Sequence, residues 1–190
     1  MSQAATKNTQ SSKFSVRDIC YTGLFAAVIA VMAQISIPMP LGVPMTMQTF
    51  AITLAAVVLG SKLSAMASLV YLILGAVGVP VLASFSGGID KFVGPTGGFL
   101  ISFPLMAYII GLGVELRNAF KGAFPLAVVV GTVVNYIVGV ILFVIVAHST
   151  VAVAISACVL PFIPTAIIKA VLACVLGLNI RKRIPGVKKA

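Results

Sequence analysis

Charge is almost absent from the body of this chain. No Asp, Glu, Lys or Arg occurs between Asp18 and Lys62, between Lys62 and Asp90, between Lys91 and Glu115, or between Lys121 and Lys169. Stretches this apolar are driven out of water, and in hydrocarbon the backbone must satisfy its own polar groups, which helices do within one segment. With 61% hydrophobic residues and a mean hydropathy of +1.20, the composition is that of an integral membrane protein. Its 190 residues supply about six helices of the ~20 residues needed to cross ~30 Å of hydrocarbon, with no room for a separate soluble domain.

Charge, glycine and proline bound the expected spans at 16–37, 46–59, 63–79, 97–116 and 123–147. The apolar run from His148 to Ile180 is too long for one more span. Pro161 and Pro164 divide it, because proline lacks the amide that a helix interior needs yet is tolerated in a first turn. The sixth span is expected at about 161–180, after a short interfacial segment at 149–160. The expected organisation is a polar tail at 1–15 that is not a cleavable signal, one six-helix membrane domain at 16–180, and a basic tail at 181–190.

Cytoplasmic loops collect Lys and Arg. With both termini cytoplasmic, every basic residue except Lys91 and Lys169 falls on the inner side. The net charge of +10 then follows from topology and contact with anionic lipid, and no nucleic-acid partner is expected.

Two loops on the outer side are rich in residues that shape a backbone. In PMPLGVPMTMQTF (38–50) three prolines stiffen the chain, Met39, Met45 and Met47 offer adaptable apolar contact, and Thr46, Gln48 and Thr49 carry hydrogen-bonding groups. In ASFSGGIDKFVGPTGGF (83–99) the glycines permit positive φ and close approach of backbone amides to a ligand. Two such loops on one face favour an outward-facing pocket over plain connections. Lys169 is the sharper signal. It precedes Arg181 by twelve residues, ~18 Å along a helix, which puts it near the midplane or in the outer half. A lysine there costs ~2.5–3.5 kcal/mol on insertion scales and no acidic residue is expected at its depth. An anionic ligand is one partner for it; snorkelling or bonding to backbone carbonyls is the other.

The missing motifs narrow the mechanism. There is no phosphate-binding loop, no buried set of Asp, Glu and His residues for proton coupling, and no HExxH, GxSxG or Cys/His ligand pattern. The chain is expected to be no enzyme and to carry neither a metal nor another cofactor. Cys20, Cys158 and Cys174 read as small apolar residues, and His148 as interfacial. In TGLFAAVIAVMAQ (22–34) small residues recur at Gly23 and Ala27, and at Ala26, Ala30 and Ala33, spacings that allow close helix contact either within this chain or with a partner.

The runs IPMPLGVPMTMQTF, LAAVVLG and YLILGAVGVPV, the SGG before GPTGGF, and PFIP followed by Lys169 closely resemble the BioY family, the biotin-binding S components of energy-coupling-factor transporters. The similarity runs from about Ala26 to Ala173. It implies a six-helix fold with an outward-opening biotin site, location in the plasma membrane of a prokaryotic type of cell, and partnership with a transmembrane T component and two ATPase subunits that supply the motor. Lys169 matches the family lysine of the sixth helix that contributes to the biotin site. Ser86, Gly87, Gly88, Gly94, Thr96, Gly97 and Gly98 follow the family pattern, Phe99 stands where tyrosine is common, and Tyr136 matches, with Asn135 beside it as ligand donor or helix bridge. Ala166 lacks an acidic group found in many relatives. The family's Ala-xxx-Ala contact with the T component maps onto Ala26 and Ala30. The expected ligand-binding set is therefore Lys169, Ser86, Gly87, Gly88, Thr96, Gly97, Phe99, Gln48, Thr46, Met47, Asn135 and Tyr136, with biotin as ligand. An S component for another vitamin or a biotin precursor, and a membrane scaffold with a structural Lys169, are the rival readings.

Overall fold

The computed structural model describes residues 15–39, 42–120 and 122–184. The expected tail before Ser15, Pro40 of the first outer loop, Lys121, and the tail beyond Ile184 with Lys188 and Lys189 lie outside the described residues. The helices, in chain order, are α1 (Val16–Ala33), α2 (Gln48–Leu59), α3 (Ser61–Ala76), α4 (Asp90–Val93), α5 (Gly97–Glu115), α6 (Ala123–Val146), α7 (Val151–Cys158) and α8 (Ile163–Arg183). Among them α1, α5, α6 and the α7–α8 run are long and apolar enough to cross a membrane, while α2 and α3 are shorter apolar helices.

One short element departs from the all-helical expectation. The first span ends at Ala33, and β1 (Ser36–Ile37) pairs antiparallel with β2 (Met45–Thr46), Ser36 opposite Thr46. Pro38 and Pro44 flank these dipeptides and keep the segment from resuming a helix, and the ladder satisfies backbone groups that the helix no longer serves. The segment expected to be interfacial at 149–160 contains α7, which buries Ala154 and Cys158 against Val43 and Phe143.

The core is built around α2. Every side chain from Phe50 to Leu59 is buried, because α1, α3, α5 and α8 all pack on this helix. α6 lies outside, on α5, and glycines set that distance. A Cβ at Gly98 would sit 2.5 Å from the Val138 carbonyl oxygen, and one at Gly139 would enter the Phe99 ring. Small residues thus let two membrane helices approach closely where hydrocarbon supplies no hydrophobic drive.

The corner between α2 and α3 is fastened from two sides. Gly60 turns the chain with φ +87, and a Cβ there would strike the Glu115 carboxylate. That carboxylate accepts from the Ser61 amide at 2.8 Å and from its hydroxyl at 3.0 Å, so an anion faces the N-terminus of α3. Arg181 donates to the carbonyls of Val57 and Val58 at 3.1 Å each, closing the C-terminal turn of α2. α8 therefore continues through Arg183, past the expected end at 180, and Arg181 is a buried part of the fold at 5% exposure.

The same packing bears on the partner contact expected at Ala26 and Ala30 of α1. Ala26 is 3% exposed inside the chain's own core, and Ala30 is half-buried against that cluster. Gly23 and Ala27 are the small residues exposed on the other face. The two stripes are offset by a fraction of a turn, and burial of Phe25, Ala26 and Ile29 decides which one turns inward.

Candidate functional site

At the end of the molecule opposite the Gly60 corner, a cavity of about 300 Å³ opens between the N-terminal end of α2, the 82–86 turn, the start of α5, the middle of α6 and the first turns of α8. Its walls bring together Thr46, Gln48, Ser86, Thr96, Phe99, Asn135, Tyr136 and Lys169 from the expected set.

Lys169 reaches the cavity from α8. Its ammonium donates to the Thr46 carbonyl at 2.8 Å, and among the described residues no carboxylate pairs with it. A backbone oxygen satisfies one of its three donors, which leaves a positive group at the cavity wall with hydrogen-bonding capacity to spare. Behind it lies a polar chain. The Thr46 hydroxyl donates to Gln48 Oε1 at 2.7 Å and accepts from the Gln48 amide at 3.3 Å, while Gln48 Nε2 donates to the Tyr71 hydroxyl at 2.5 Å. Gln48 is buried at 5%, so this network holds its side-chain amide in one orientation.

Asn135 has two tasks. Its Nδ2 donates to the Phe99 carbonyl at 3.0 Å and to the Ser102 hydroxyl at 2.8 Å, bridging α6 to α5. Its Oδ1 has no donor among the described residues and the residue lines the cavity, so the acceptor stays available. The Phe99 and Tyr136 rings meet edge to face, with centroids 6.4 Å apart and planes at 83°, and form an aromatic wall. Leu100, Phe103, Leu82 and Phe162 extend the apolar lining.

Met47, Gly87, Gly88 and Gly97 are not on the wall. Met47 precedes α2 and packs against the cluster around Phe25 and Phe50. Gly88 adopts φ +111 and its amide donates to the Gly75 carbonyl at 2.7 Å. A Cβ at Gly87 would press on the Val79 carbonyl oxygen, and one at Gly97 on that of Phe92. These glycines let the loop backbone pack on α3 and α4, which positions Ser86 and Thr96 at the cavity.

The structure also adds residues that sequence reading passes over. Gln34 ends α1 and fastens the opposite turn: Nε2 donates to Ala30 O at 2.9 Å and Val81 O at 3.2 Å, and Oε1 accepts from the Phe85 amide at 2.7 Å. With the Ser36–Ser84 hydroxyl contact at 2.8 Å, it holds Ser84 and Phe85 in left-handed backbone at φ 58 and 54. A polar side chain closing an otherwise apolar helix was the available signal. Lys91, in a 3.1 Å ion pair with Asp90, and Thr165 also line the cavity, and so does Ala166.

Known proteins resemble this chain in sequence and in fold. The chain is 41% identical over 168 residues to the biotin transporter BioY of Thermotoga maritima, covering 88% of this chain and 97% of that one. It is 35% identical over 181 residues to the biotin transporter BioY of Rhodobacter capsulatus, covering 89% and 95%. Among solved structures, the S-component for biotin from an ECF-type ABC transporter superposes with a TM-score of 0.77 at 28% identity, covering 88% of this chain and 92% of that one. The BioY family model matches residues 5–186. The chain belongs to the BioY family.

Proposed function

We propose that this chain is the biotin-binding S component of an energy-coupling-factor transporter, and that it works by capture and not by catalysis. The observation that carries the reading is the cavity of about 300 Å³, in which a cation and a few oriented polar groups face aromatic and aliphatic walls. Biotin asks for this mixture. Its bicyclic thioether ring packs on apolar surface, its ureido N–H groups can donate to acceptors such as Asn135 Oδ1 and the hydroxyl oxygens of Ser86 and Thr96, whose protons go to the Ala83 and Lys91 carbonyls at 2.7 and 3.3 Å, and its carboxylate is attracted to an ammonium. The volume is at the lower end of ligand sites, ~300–1,000 Å³, as suits a small vitamin. Calorimetric titration of biotin into detergent-purified protein stripped of ligand should give one-to-one, nanomolar binding; no heat and no thermal shift, or tighter binding of another vitamin in competition, would reject the assignment.

Six crossings complete the proposal: α1, α2, α3, α5, α6 and α8 span the bilayer, both termini are cytoplasmic, and the cavity faces outward. Support comes from the polarity of the molecule, since Lys62, Arg117 and the basic last turn of α8 surround the Gly60 corner while the cavity lies at the other end. In a cysteine-free background, Lys91→Cys should react with a membrane-impermeant maleimide in intact cells, and Lys62→Cys only after lysis; the reverse pattern inverts the topology. A T component and two ATPases would then supply the motor.

A further inference from the structure

Among the described residues two cations line the cavity, Lys169 and Lys91, whereas biotin brings a single anion. Lys169 is half-buried, with its ammonium on the Thr46 carbonyl at 2.8 Å. Lys91 reaches the wall from α4, the four-residue helix within the 83–99 loop. Its side chain lines the cavity yet is 42% exposed, so it stands where the cavity meets solvent. The backbone of Lys91 is fastened on both sides. Its amide donates to the Gly88 carbonyl, and its own carbonyl accepts from the Thr96 hydroxyl, each at 3.3 Å. The ammonium is far less committed. Its partner is the adjacent Asp90 at 3.1 Å, itself 66% exposed, and an ion pair between two such exposed side chains contributes little.

We infer that Lys91 is a specificity-determining residue that exchanges Asp90 for the ligand's carboxylate at the cavity mouth and leaves Lys169 to the ureido oxygen. The inference rests on the biotin reading above and assigns the two ends of that ligand. Gln48 at 5% exposure and Asn135 at 2% are the polar groups of the wall most withdrawn from solvent, and Lys169 stands beside the first of them through Thr46. A neutral ureido ring can leave water there, because its N–H and C=O groups find partners. A carboxylate loses far more on desolvation, so the charged end of the ligand belongs at the wet end of the cavity. Lys91 is the cation at that end, and its anchored backbone presents the ammonium without ordering a longer segment. A molecule of the same shape that ends in an ester keeps the ring contacts and loses this one. Asp90 acts in the opposite sense: it competes for the ammonium and repels the incoming anion, so it holds back the affinity for the free acid.

Calorimetric titration of the full chain, stripped of ligand in detergent, with biotin and with biotin methyl ester tests this through three substitutions. For the free acid, affinity should fall in the order Asp90→Asn, wild type, Lys91→Gln, Lys91→Glu. Lys91→Gln is expected to be about fivefold weaker than wild type, and Lys91→Glu, which sets a like charge against the carboxylate, at least about tenfold weaker. For the ester, all four proteins should agree within about twofold. Any other order for the acid overturns the inference. The same order for the ester overturns it too, because the substitutions would then act on the loop and not through charge. Wild-type protein that binds neither compound removes the biotin reading and the role of Lys91 with it. Wild-type protein that binds biotin, with Lys91 variants that bind it equally well, removes Lys91 alone.

Discussion

Lys169 and Thr46 form a pair whose strength depends on what fills the cavity. In the structure the ammonium rests on a backbone carbonyl at 2.8 Å, a neutral acceptor, and an incoming carboxylate would offer it a charged one. Hydrogen bonds to charged groups are worth ~1.5–3 kcal/mol, so Lys169→Ala should weaken biotin binding at least about tenfold without preventing membrane insertion. Titrating the same variant with biotin methyl ester separates the two ends of the ligand. A loss confined to the free acid places the carboxylate on Lys169, an equal loss for both places the ureido oxygen there, and no loss for either removes Lys169 from the site. Lys169 is legible in the sequence because a cation within an apolar run has few explanations. Gln34 and Tyr71 are not, since one polar tip at the end or middle of a greasy helix gives no hint of which distant carbonyl or amide it will meet.

At the scale of elements, α8 grips both ends of α2, through Lys169 at Thr46 and through Arg181 at Val57 and Val58. Arg181→Met keeps the apolar stem but removes the donors that close α2, at a cost of ~1.5–3 kcal/mol. For a chain of this size that lowers the melting temperature by about 3–12 °C in a detergent thermal-shift assay, with biotin affinity nearly retained because the cavity is at the other end. An unchanged melting temperature would show that water serves those carbonyls equally well. Helix positions are readable from sequence here because charge, glycine and proline mark the seams. The ladder of Ser36–Ile37 with Met45–Thr46 is not, since two residues per strand carry no period. Nor does sequence show that Arg181, beside Lys182 and Arg183, turns inward while they stay exposed.

For the whole molecule, the surface offered to other proteins follows from what the fold has already used. Because Ala26 is interior, Ala26→Trp would overpack the core and is expected to impair folding itself. Gly23 and Ala27 face outward, and among the described residues nothing beyond Gly23's own neighbours and helix backbone lies within 4 Å of a Cβ built there. Gly23→Trp and Ala27→Trp should therefore spare biotin binding and abolish co-purification with a T component; normal co-purification of both would move the contact off α1. The family and the general course of the chain are visible in its motifs, whereas the choice between two small-residue faces one residue apart needs the packing of Phe25 and Ile29 to resolve it. The enclosure of α2 has one more consequence. A helix in contact with lipid answers to membrane thickness by tilting or by deforming the bilayer. α2 is walled in by four neighbours and spans only ~18 Å, so its length never meets hydrocarbon as a mismatch. Thick or thin, the host membrane strains α1, α6 and α8 first, and the element that presents Gln48 to the cavity is shielded from it.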